Sequence, residues 1–189
     1  MADPASRRAA LFATLVAVPV ALLVGVIAFA YIASRSSNAD ALPSASPSAV
    51  VPSSAVAMPA PKLSPAHAQA CLAFIAQLPT QLRNLPERHV TTGPEQNAAF
   101  GEPPVTVACG AAEVRPAATA TVYPISGVCW FPTTGTTSTV WTTLDREVPV
   151  AVTVPNTYAP GGSGSAQWAA EFSAPLVSAM PSIKTPYHC

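Results

Sequence analysis

Charged side chains are scarce in this sequence: Asp, Glu, Lys and Arg make up 10% of its 189 residues, and the formal net charge is zero. That excludes a basic surface for nucleic acid and a charged disordered tail, so neither DNA nor RNA is an expected partner. Histidine is sparse too, with His67, His89 and His188 far apart and neither an H-x-x-x-H nor a C-x-x-C spacing. A tetrahedral zinc set has no nucleus in such a pattern, and no metal or cofactor is expected. The run Gly161-Gly162-Ser163-Gly164-Ser165 lacks the fifth-position glycine of a nucleophile elbow and reads as a loop followed by a helix cap. Carboxylates at Glu87, Glu95, Glu102, Glu113, Asp145, Glu147 and Glu171 show no spacing that pairs any two of them. No catalytic residue is assigned.

What is present begins with an apolar run. Residues 9–33 carry no charge and are rich in Leu, Val, Ala and Phe. As a helix they would reach about 37 Å, enough for a hydrocarbon core of about 30 Å. Arg7 and Arg8 precede the run and Arg35 follows it, with Asp40 partly offsetting Arg35. This asymmetry predicts a cytoplasmic tail over 1–8, a transmembrane helix over 9–33 that meets the lipid bilayer, and everything beyond it outside the cytoplasm. Small residues at Ala28, Ala30 and Ala33 resemble a processing site, but the run is too long for a cleaved signal. The first cysteine is Cys71, so no lipid-modified cysteine follows the run.

Residues 34–63 read as a linker. Over 41–61, sixteen of twenty-one residues are Ala, Ser or Pro, a composition that cannot build a core and that favours extended polyproline segments. A globular domain is expected over 64–189. Ser64 followed by Pro65 marks a helix start, with Cys71, Ile75 and Leu78 on one face and Pro79 as its end. Strand character follows at 105–109, 126–131, 137–143 and 148–154, the last with valine at every second position. From Ser165 a second helix is expected, with Trp168, Phe172, Leu176 and Met180 recurring every four residues and a kink at Pro175. Helix, consecutive short strands, then helix is an α+β domain, two helices packed on a largely antiparallel sheet.

Two polar pairs stand beside apolar segments, Arg88 with His89 and Asp145 with Arg146. They are the candidate polar site, against the plainer reading of structural salt bridging or strand-end capping. Trp130, Trp141 and Trp168 lie on separate elements and read as core rather than as a ligand platform.

The segment from Phe100-Gly101-Glu102-Pro103 to Cys109-Gly110, followed by Gly127-Val128-Cys129-Trp130 and Asp145-Arg146, resembles an actinobacterial family of membrane-anchored or secreted proteins of unknown function. That family's pattern runs Cys-bearing helix with Leu-Pro, aromatic-Gly-x-Pro, Cys-Gly, Gly-Val-x-Trp and Asp-Arg. Cys71, Leu78 and Pro79 match the helix element. Phe100 stands where the family usually has Trp, Ala108 where it has Arg, and Cys129 and Cys189 look like additions. The resemblance implies an extracytoplasmic domain and names no activity.

Four cysteines allow three pairings. Cys71 shares the apolar helix face, and Cys109 is in phase with Val105 and Val107 on one strand face, so both point into one core. The resemblance implies the same pair, since its pattern contains these two. Cys129 is then left for Cys189. Two readings of function remain: a non-enzymatic envelope protein contacting another membrane or cell-wall component, and an enzyme or small-ligand binder acting on envelope material through Arg88, His89, Asp145 and Arg146.

Overall fold

The computed structural model describes residues 22–27, 29–30, 54–187 and 189. The chain divides into two units, Met1–Val50 and Val51–Cys189. In the first, residues 22–27 and 29–30 are helical, with Leu22, Leu23, Val24, Val26, Ile27 and Phe29 exposed. Among the described residues no helix is long and apolar enough to cross a membrane. Most of the expected span over 9–33 lies outside them.

The second unit opens with helix α1 (Pro65–Ile75), started as expected by Ser64, whose Oγ accepts the His67 N–H at 3.2 Å with Pro65 in the first turn. Eight strands follow: β1 (Gln81–Leu82), β2 (Leu85–Arg88), β3 (Asn97–Phe100), β4 (Val105–Cys109), β5 (Tyr123–Ile125), β6 (Val128–Thr134), β7 (Ser138–Thr143) and β8 (Val150–Pro155). They form one sheet in the order β1-β2-β3-β4-β8-β7-β6-β5, and every pair in it is antiparallel. Two four-strand meanders therefore meet at β4 and β8. A 3₁₀ turn (Pro160–Gly162) and helices α2 (Ala166–Ala170) and α3 (Ser173–Ala179) complete the chain.

Because cross-strand partners share a face, the register sorts the residues. Phe100 lies opposite Val105, Val107 opposite Val152, Val152 opposite Trp141 and Trp130 opposite Thr143. This face carries Cys109, bonded to Cys71 of α1, together with Trp130 and Trp141, whose indole N–H groups donate to Ser173 and Ser165. The helices thus cover one face, and Phe74, Phe100, Trp130, Phe172, Leu176 and Met180 fill the space between.

Four expectations change. The strand expected over 126–131 begins only at Val128, because Ser126 and Gly127 form a two-residue hairpin turn with φ of 49° and 80°. Both values lie in the left-handed region that such a turn demands and that glycine supplies without steric cost. The second helix is two helices, broken around Glu171 and Phe172. Pro175 has no N–H and its ring would strike the residue 171 carbonyl, so the helix stops and Pro175 falls in the first turn of a new one. Ser165 does not cap α2 with its side chain; its hydroxyl donates to the Gly162 carbonyl at 2.7 Å.

The fourth concerns the linker. Its described end, 54–61, is bound to the domain rather than free: Val56 bridges Val90 in parallel, with the Val56 N–H donating to His89 O at 2.8 Å and the Thr91 N–H to Val56 O at 3.0 Å. Asn97 Nδ2 donates to Pro59 O at 3.0 Å and Gln96 Nε2 to Pro61 O at 3.2 Å. Arg88 and Asn97 sit on the face away from the helices, as their partners Ala99 and Ala108 do. Composition says only that 54–61 cannot form a core of its own; here it covers the second face of β2 and β3, where Asn97 and Ala99 are buried. Removing 54–61 should therefore lower stability by about 2–4 kcal/mol, because buried polar groups of Arg88 and Asn97 lose their acceptors. Urea midpoints of chains with and without the segment test this, and coincident midpoints would refute it.

Candidate functional site

The polar residues singled out in the sequence fall into two separate clusters. Arg88 ends β2 and is 5% exposed. Its Nη1 donates to Gly101 O at 3.1 Å and to the Glu102 carboxylate, and its Nη2 donates to Ser54 Oγ at 2.9 Å and to Ser54 O. His89, the next residue, is exposed. Arg146 is 4% exposed; its Nη1 donates to Met180 O at 2.9 Å and its Nη2 to Gly127 O and, at 3.3 Å, to Asp145 Oδ2. Asp145 Oδ1 accepts the Cys129 N–H at 3.0 Å. β2 and β7 are four strands apart in the sheet, about 19 Å at roughly 4.8 Å per strand. The four residues do not converge.

Each guanidinium binds two main-chain carbonyls as well as a carboxylate, so each fixes a fold junction. Arg88 ties 54–61 to the turn after β3, and Arg146 ties the β5–β6 turn to the end of α3. The residues carrying the family resemblance have the same architectural character: Phe100 and Trp130 are fully buried, Cys109 is cross-linked, and Gly101 and Gly127 offer the carbonyls that the two arginines bind.

Beside Arg88 lies Tyr158, whose ring is 5.3 Å from that of Trp168. Its hydroxyl is shut off from water without a well-formed hydrogen bond, although the Glu102 main chain is close. Burial pushes the phenol above its ordinary value of 10.0, against smaller opposing pulls from the Glu102 N–H and the Arg88 charge. The unfolded chain ionises near that ordinary value while the folded chain holds its proton longer. Stability from this group is thus complete below about pH 10 and declines as pH rises through the folded value. Tyr158→Phe should lessen the alkaline decline in urea midpoint; an unchanged decline would refute the assignment.

A concavity of about 630 Å³ lies between the loop after β4, the β7–β8 connection and the C-terminal segment. Arg146 forms part of its floor, and Glu113, Arg115, Glu147, Lys184 and Tyr187 stand around it. Arg115 donates to Glu113 from Nε at 3.3 Å and from Nη2 at 3.1 Å, an exposed pair whose hydrogen bonding and charge push the Arg115 pKa up further. His67 Nε2 is 3.8 Å from Glu147 Oε1. Lys184 is exposed. The C-terminal wall is held by Ile183 N–H donating to Asp145 O at 2.8 Å, by Tyr187 OH donating to Pro116 O at 3.3 Å, and by the Cys129–Cys189 bridge. Among the described residues no group of three or more His, Cys, Asp or Glu side chains could hold a metal ion.

Sequence reading had no route to this cleft, because its walls come from segments without periodicity. A search of family descriptions matches residues 16–185 to "Protein of unknown function (DUF3515)". The chain belongs to this family. No curated protein and no solved structure matches it. Membership agrees with the resemblance to an uncharacterised family and covers the whole sheet and all three helices.

Proposed function

We propose that this family member is a membrane-anchored extracytoplasmic protein of an actinobacterial cell envelope, whose domain contacts another membrane or cell-wall component rather than transforming it. The observation that carries the reading is the disposition of charge. The buried ions Arg88, Asp145 and Arg146 are committed to fixed partners within the fold, whereas around the wide cleft Lys184 is exposed and Glu113 and Arg115 are held only by each other, in an exposed pair weak enough to exchange for an outside partner. Two cysteine pairs support an oxidising compartment, and the arginine asymmetry about 9–33 supports an N-terminus in the cytoplasm.

A lysine-reactive cross-linker that cannot pass membranes tests both halves on intact cells. Lys184 is expected to form an adduct with a partner before lysis, and Arg115→Glu is expected to weaken that adduct severalfold without lowering the melting temperature. Reaction at Lys184 only after lysis would overturn the topology. Reaction without any cross-linked partner would overturn the interaction.

A further inference from the structure

The helix-covered face of the sheet is not covered to its edge. Tyr123 lies opposite Trp130, Pro132 opposite Trp141 and Thr134 opposite Thr139, so all six belong to the face on which the helices pack. Where the 3₁₀ turn and α2 stop short of β5, a groove of about 220 Å³ remains. Its lining, which includes Tyr123, Pro132, Thr134, Thr139, Trp141 and Gly162, carries no charge.

Two features of this groove point to a ligand. Tyr123 is 41% exposed, yet its ring is held edge-on to Trp141 with centroids 5.4 Å apart and planes at 71°. Trp141 is in turn fixed by donating its indole N–H to Ser165 Oγ at 2.9 Å. The exposed ring is therefore a preset apolar platform. Thr139 is 1% exposed, and its hydroxyl finds no partner among the protein's own groups. A buried hydroxyl without a partner costs about 1–3 kcal/mol, so its presence in a groove wall calls for an acceptor or donor from outside.

Gly162 packs directly against that hydroxyl with no side chain between them. Its φ is 81°, and a Cβ there would come within 3.0 Å of Thr139 Oγ1 and 3.4 Å of Thr134 Oγ1. Any side chain at this position would fill the space beside the two hydroxyls.

We propose that this groove is a binding subsite for one ring of a neutral carbohydrate. A charged ligand would be desolvated here without a counter-ion, which excludes phosphates and carboxylates. A hydrocarbon chain would suit Tyr123 but would leave Thr139 unpaired. A sugar ring presents C–H groups on a face and hydroxyls on its rim, matching an aromatic platform beside two threonine hydroxyls. The volume is below the roughly 300–1,000 Å³ of sites for larger ligands, which sets the capacity at a single ring. This subsite is separate from the wide cleft and does not depend on the membrane reading.

The test uses the full chain, purified in a polyoxyethylene detergent so that no detergent sugar competes, on a printed array of neutral gluco-, galacto-, manno- and N-acetylglucosamine oligosaccharides beside sialylated and sulfated glycans. Retention on at least one of these is expected, reduced about tenfold by Tyr123→Ala, on the order of one stacking contact. Thr139→Val should reduce it comparably while leaving the melting temperature equal to or above that of the parent, since it removes an unsatisfied hydroxyl without changing shape. That combination separates a binding role from a structural one. No retention on any neutral glycan, retention unaffected by either substitution, or retention only on sialylated or sulfated glycans would overturn the proposal.

Discussion

Arg146→Met is expected to destabilise the folded domain by about 3–5 kcal/mol, the cost of breaking a buried ion pair from one side. The guanidinium now serves Met180 O, Gly127 O and Asp145 Oδ2 together, and methionine serves none of them. Asp145 keeps the Cys129 N–H but loses its counter-charge at a site 8% exposed. Against a total stability of about 5–15 kcal/mol, the variant retains a fold only if the domain stands in the upper part of that range. Because Ile183 N–H donates to Asp145 O, the amide protection of Ile183 should fall further than that of β8 if the variant still folds. Urea unfolding and hydrogen exchange measure the two effects. A loss under about 1 kcal/mol, typical of a surface pair, would show that Arg146 is not the junction described here.

The second large effect separates the two disulfides. Cys71–Cys109 spans 38 residues and Cys129–Cys189 spans 60, with Cα separations of 5.6 and 5.7 Å that both suit a bridge. In the chain-entropy model each contributes about 4 kcal/mol, and the longer loop gains only about 0.4 kcal/mol over the shorter. Burial reverses that small advantage. Cys71 and Cys109 are 0% and 1% exposed between α1 and the central strand β4, whereas Cys189 is exposed at the end of the chain. Replacing the first pair with alanine also leaves a cavity at each position, about 1 kcal/mol or more per side chain. Cys129 is 0% exposed and leaves one such cavity, so the Cys71→Ala/Cys109→Ala chain should lose about 6 kcal/mol and the Cys129→Ala/Cys189→Ala chain about 5. Unfolding midpoints in the opposite order would refute the argument.

The pairing itself was legible because the period of each element decides it. A helical face with Cys71, Ile75 and Leu78, and a strand face with Val105, Val107 and Cys109, must both be buried, and two elements of one small core leave few ways to meet. The Ser64–Pro65 start of α1 and the alternation of β8 were legible for similar reasons, since capping and strand period are local signals. Four strands were not. β3 is buried at all four positions because 54–61 covers one side and the helices the other, which erases alternation. β1, β2 and β5 have only 2, 4 and 3 residues, too few to show a period. The β1–β2 turn places Arg83 at φ 57°, a conformation arginine does not choose alone. Its cation lies 4.6 Å over the Trp168 ring and its Nε donates to Glu171 at 3.2 Å, contacts that only the packed α2 supplies.

The candidate polar residues divide the same way. Sequence alone picked out Arg88 and the Asp145–Arg146 pair, because charge amid apolar segments is rare in a chain with 10% charged residues. Whether such a charge serves chemistry or architecture depends on which carbonyls surround it, and Gly101 O, Gly127 O and Met180 O reach those arginines only through the turns and the sheet order. Composition, the apolar run, the helix start, the strand periods and the cysteine pairing followed from the sequence because each rests on neighbours a few residues apart. The coverage of the second sheet face, the cleft at the C-terminal segment and the groove beside Tyr123 were decided only in the tertiary structure. They depend on groups brought together over tens of residues, a proximity that local periodicity does not encode.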